Sequence, residues 1–78
     1  MSYSKSIVPG ILIKSKGSLG YRDTSEDRFY ILTEIETDYN DRAHDMLVFY
    51  GLTEEQFFRR PHWRIEKYIE DGIIKIVA

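Results

Sequence analysis

The sequence predicts a mainly β protein of the α+β class: a small, strongly bent antiparallel sheet with one or two short helices near the C-terminus. Three observations lead there. Residues 28–36 alternate along a strand, with Phe29, Ile31, Thr33 and Ile35 on one face and Tyr30, Leu32, Glu34 and Glu36 on the other. Met46 to Tyr50 form an apolar run closed by Gly51, too short for an amphipathic helix. Ile65, Tyr68 and Ile69 then recur at the spacing of one helix face, between Pro61 and Gly72 and ahead of a further apolar run at 73–77.

Taken in order, residues 1–6 are polar and expected to fray. Val8, Pro9 and Gly10 read as a tight turn, Pro presetting φ and Gly supplying a positive φ after it. A first strand over 11–16 follows, with Ile11 and Ile13 on one face. Residues 17–27 make a long loop punctuated by Gly17 and Gly20, with Tyr21 and Arg22 near its tip. The strand at 28–36 is linked to the apolar run at 46–50 by a polar connection over 37–45. Thr53 and Gln56 have the spacing of a capping box, which predicts a short helix carrying Phe57 and Phe58 and stopping before Pro61.

The segment 62–71 has two readings. Glu66, Lys67 and Glu70 are good helix formers, and Pro61 as first helical residue with Gly72 just past the end favours a helix. The alternation of Trp63, Ile65, Lys67 and Ile69 would also suit a strand, with Asp71-Gly72 as a hairpin turn. The expected core is Ile11, Ile13, Phe29, Ile31, Leu47, Phe49, Ile65, Ile69, Ile74 and Ile76.

A chain of 78 residues is one domain with a small core. It has no cysteine, which removes disulfides and thiolate metal sites. No apolar run is long enough for a membrane helix and the first residues lack the apolar stretch of a signal peptide, so a cytoplasmic location is expected. The net charge of −2 argues against a dedicated nucleic-acid binder, but the charges are unevenly placed. Residues 1–22 carry four bases and no acid, 23–58 carry ten acids against Arg28 and Arg42, and 59–78 are basic again. Either these segments pair across the folded surface, or they form opposed faces that steer a charged partner.

Catalytic patterns are absent from the sequence. His44 and Asp45 lie near Asp38 and Asp41, but without calcium-loop spacing, and read as a solvated turn. His62 has no nucleophile motif around it and reads as a capping or surface histidine. Gly17 and Gly20 lack the Lys-Ser/Thr of a phosphate loop. No enzyme, metal or cofactor is expected. The cluster from Phe57 to Arg64 is the first candidate partner-binding site, with Phe58, Arg59, Arg60, His62, Trp63 and Arg64 as its contact residues, since arginine forks grip carboxylate or phosphate and aromatics anchor a protein or stack on bases. Tyr21 and Arg22 are the second. The competing reading makes the phenylalanines and Trp63 core, with the arginines flanking it.

The layout of turn, strand, long glycine-containing loop, two apolar strands, short helical turn and last short strand resembles the SH3-like small β-barrels, including those of small tailed-bacteriophage proteins. The likeness covers most of the chain through its layout and a few turn residues. The acidic peptide-binding loop and the paired Trp-Pro groove residues of SH3 domains are missing, so proline-rich peptide recognition does not carry over. The resemblance implies a partial barrel and a phage-type accessory or host-interacting role. The expected function is a non-enzymatic protein-binding module, the alternative a nucleic-acid-binding small barrel using the same arginines and aromatics. Homo-oligomerisation is left open, and no membrane partner is expected.

Overall fold

The computed structural model of the chain describes residues 7–17, 19, 26–37 and 44–77. Five strands and one helix follow in the order β1 (Leu12–Lys16), β2 (Asp27–Glu36), β3 (Met46–Gly51), β4 (Gln56–Pro61), α1 (His62–Glu70) and β5 (Ile74–Ile76). The strands form one antiparallel sheet in the order β4-β3-β2-β1-β5. The expected α+β, mainly β class is what the chain adopts. The sheet is open, with β4 and β5 at its edges, and does not close into a barrel.

The Val8–Ile11 turn forms as the residues dictate: Ile11 N–H donates to the Val8 carbonyl and Gly10 takes φ +99°. Pairing of Ile13 with Tyr30, Tyr30 with Gly51, and Leu32 with Phe49 and then Phe58 sets one row after another on the same face. That face holds the core: Ile13, Tyr30, Leu32, Leu47, Phe49 and Ile74 are buried under Ile65 of α1, Ile7 and Leu19.

The core differs from expectation on β2. Tyr30 and Leu32 point inward, whereas Phe29 and Ile31 face the other side, Phe29 being 39% exposed. A β-bulge between Leu32 and Glu34 explains why simple alternation misleads, since the extra residue returns Ile35 to the Leu47 row on the core face. Thr33 fills the bulge and its hydroxyl donates to the Val48 carbonyl.

Residues 53–58 are not a helix. Leu52–Glu55 form a hairpin loop in which Glu55 N–H donates to the Gly51 carbonyl and Glu55 takes φ +56°, and β4 starts at Gln56. Pro61 is the last residue of β4, with ψ 148°, and not the first of the helix. It sits on an edge strand, where its missing N–H costs no ladder bond. The segment after it is helical, over His62–Glu70, and the hairpin alternative falls away. Its end is a Schellman arrangement: Gly72 at φ +77° donates to the Ile69 carbonyl and Ile73 N–H donates to that of Tyr68.

Candidate functional site

The helix covers one face of the sheet, and among the described residues no element packs over the other. By register, Phe57, Tyr50, Ile31 and Leu12 stand side by side across β4, β3, β2 and β1 on this open face. Val77, whose N–H donates to the Leu12 carbonyl, extends the row past the end of β5. The next row holds Phe29 beside Lys14, with Lys75 beyond it. Leu52 N–H bonds the Phe29 carbonyl, so Leu52 borders the same row. Phe57 is 63% exposed and stands edge-on to Tyr50, with ring centroids 5.0 Å apart. Phe29, Leu52 and Val77 are also exposed. Exposed Phe57, Phe29, Leu52 and Val77, grouped around half-buried Tyr50, Ile31 and Leu12, are more than scattered surface residues and mark an interaction surface, although Val48 on the same face is buried.

Charges on this face are segregated. Lys14, Lys16 and Lys75 lie on one side of the apolar row with Asp27; Glu34, Glu36 and Arg59 lie on the other. Arg59 pairs with Glu36, and Lys14 approaches Asp27 at 3.8 Å. Lys16, Lys75 and Glu34 have no ion pair among the described residues. Lys14 and Lys75 are directly opposite across β1 and β5, a like-charge pairing that disfavours the strand contact unless an anion approaches. The depression they line with Lys16, Asp27, Gly72 and Ile73 has a volume of only about 60 Å³, far below that of a small-molecule site.

On the core face a polar network ties loop to sheet. Leu19 N–H donates to the Tyr30 hydroxyl at 2.9 Å, and that hydroxyl donates to Glu54 Oε2 at 2.5 Å. Arg28 Nη1 donates to the same carboxylate oxygen at 3.2 Å. Desolvation pushes the Glu54 carboxyl up, but hydrogen bonds from Tyr30, its own backbone N–H and Arg28, with the Arg28 charge, hold it below the ordinary value. Oε2 of Glu54 thus accepts from both Tyr30 and Arg28, while its Oε1 is buried without a hydrogen-bond partner among the described residues.

The sequence-predicted site residues do not form one surface. Phe58 points to the core face and meets the Tyr30 ring at 5.5 Å. Arg60 lies beneath it: its guanidinium stands 5.8 Å from the Phe58 ring and donates to the Arg59 and Leu19 carbonyls. His62 is buried, with Nδ1 2.6 Å from Glu66 Oε1, and is no surface histidine. Trp63 and Arg64 are exposed on α1, the guanidinium 5.3 Å from the indole ring. Arg59 alone of the group reaches the open sheet face. Tyr21 and Arg22, with Asp38 and Asp41, lie outside the described residues. Asp45 is buried, its carbonyl accepting the His62 N–H, where a solvated turn was expected.

Phe57 belongs to the 57–64 cluster that the sequence singles out, but Tyr50, Ile31, Phe29 and Leu12 were missed as its neighbours on one surface. Strand alternation through 56–61 was the signal that could have put Phe57 on the face opposite Phe58, and the capping-box spacing hid it. No family model matches the chain, and no curated protein or solved structure matches it.

Proposed function

We propose that the protein is a non-enzymatic docking module that binds another protein through the open face of its sheet. The observation that carries this reading is the row of exposed Phe57 and half-buried Tyr50, Ile31 and Leu12, flanked by the exposed Phe29 and Leu52. Aliphatic and aromatic side chains bordered by charges of both signs match the apolar centre and polar rim of a protein interface. Of the 57–64 cluster, the surface thus keeps Phe57 and Arg59 and adds the strands beside them. An accessory or host-interacting role for such a module rests on the sequence layout that resembles small phage barrels, from which this chain departs in its open sheet and in its hairpin at 52–55.

One observation favours a second reading, nucleic-acid binding. Phe29, Tyr50 and Phe57 share their face with Lys14, Lys16 and Lys75, and aromatics on an open sheet beside lysines can stack bases and neutralise phosphates. Glu34, Glu36 and Asp27 on the same face oppose it.

Affinity capture from the lysate of the native cells, with and without nuclease, separates the two. A protein partner survives nuclease and a rise in salt from about 50 to about 200 mM, whereas phosphate contacts lose orders of magnitude over that range. Phe57→Ala should weaken capture by about 2 kcal/mol or more, and Arg59→Ala by much less. A complex that nuclease destroys and salt dissolves would overturn the proposal.

A further inference from the structure

We infer that the partner on the open sheet face is a second copy of this chain, packed sheet to sheet about a twofold axis that runs along the apolar row. The inference rests on the docking reading above and names its occupant.

A closed homodimer needs a surface complementary to itself, because a twofold axis brings the same patch of each copy together. The open face meets that requirement in two ways. The row Val77, Leu12, Ile31, Tyr50 and Phe57 crosses the sheet perpendicular to its strands. An axis laid along that row superposes it on its own copy, so apolar side chains meet apolar side chains along the whole width. The same rotation exchanges the two sides of the row. Lys14 and Lys16, two and four residues beyond Leu12 on β1, then come over the side that carries Glu34 and Glu36 on the neighbouring strand β2. A twofold laid along the strands instead would swap the β1–β5 end of the sheet for the β3–β4 end and would not set each residue of the row on its own copy.

The individual charges fit this exchange. Lys16, Lys75 and Glu34 are without ion pairs among the described residues, and Lys75 faces Lys14 across the strand pair. A carboxylate from the second copy relieves that like-charge contact. Two twisted sheets pack face to face with strands roughly 30° from alignment and about 10 Å apart, which the side chains of one row on each sheet can fill.

Pairing of β4 edges is the weaker route to a dimer. His62 N–H donates to the Asp45 carbonyl, and ladder alternation from there turns the N–H and C=O groups of Phe57 and Arg59 to the free edge. The Arg60 guanidinium already occupies the Arg59 carbonyl, and Pro61 has no N–H to offer.

Sedimentation equilibrium of the full chain from about 10 µM to about 1 mM tests the inference. The expected result is a monomer–dimer equilibrium that Phe57→Asp weakens at least about tenfold. The double reversal Lys14→Glu/Lys16→Glu should weaken it too, and adding Glu34→Lys/Glu36→Lys in the same chain should restore it; circular dichroism verifies that each variant is folded. A monomer throughout, or a dimer indifferent to both sets of changes, would overturn the second copy as occupant. If the chain is monomeric while Phe57→Ala still abolishes capture of another protein, only this inference fails. If Phe57→Ala also leaves capture intact, the docking face fails with it.

Discussion

Gly51 shows how tightly single residues are set in this fold. A Cβ there would lie 2.8 Å from Glu54 Oε1 and 3.0 Å from the rings of both Phe58 and Tyr30. Its φ is ordinary, so space and not backbone conformation demands glycine. Gly51→Ala should cost about 1–3 kcal/mol in chemical denaturation, as overpacking does. Glu54, which crowds it, makes stability depend on pH. Its folded-state pKa is depressed, so its contribution is present above the unfolded glutamate pKa and is lost as pH falls through the folded one. The stability gap between the protein and Glu54→Gln should therefore be widest near neutrality and narrow on acidification below the ordinary glutamate range. A gap that stayed constant down to the acid transition would show that the Tyr30–Glu54–Arg28 network does not hold a carboxylate.

Among the elements, β2 carries the clearest contrast. Leu32→Ala and Phe49→Ala on the core face should each cost about 2–5 kcal/mol, whereas Phe29→Ser on the open face should fall within about 0.5 kcal/mol in a dilute denaturant titration. Equal losses on both faces would mean the open face is covered within the single chain. Much at this scale was legible in the sequence: the Val8–Ile11 turn, the strands at 11–16, 28–36 and 46–50, and a helix ended by Gly72. What was not legible has physical causes. The bulge at Thr33 leaves no mark in an alternating pattern, so the inward face of β2 was misassigned. Tyr30 falls on the face opposite Phe29 and Ile31, and the partners that let its hydroxyl be buried, Glu54 and Leu19, lie 24 and 11 residues away, where no local pattern shows them. At 53–58 a local capping pattern lost to hairpin pairing with β3, whose ladder bonds and Phe49–Phe58 contact a single turn of helix would forgo. The candidate site suffers from the same errors: with a helix starting at the Thr53 capping box and stopping before Pro61, Phe57 and Phe58 cannot be assigned to opposite faces of a strand.

For the whole molecule, the sheet is a partition. One face is sealed by α1, Ile7 and Leu19, and the other presents an apolar row to whatever the protein binds. A domain this small gains little stability to spare from one core, and leaving large apolar side chains uncovered is consistent with a surface kept for association. The two adjacent phenylalanines of β4 separate these roles, since Phe58 packs against Tyr30 while Phe57 stands 63% exposed beside Tyr50. A photo-crosslinking benzoylphenylalanine placed at position 57, and separately at 58, reads both directly in the native cell lysate. Position 57 should give an intermolecular protein adduct, with the segment 50–57 of a second copy as its main peptide, and position 58 only attachment within the same chain. Intermolecular adducts from 58 with none from 57 would contradict the assignment of the open face as the binding surface.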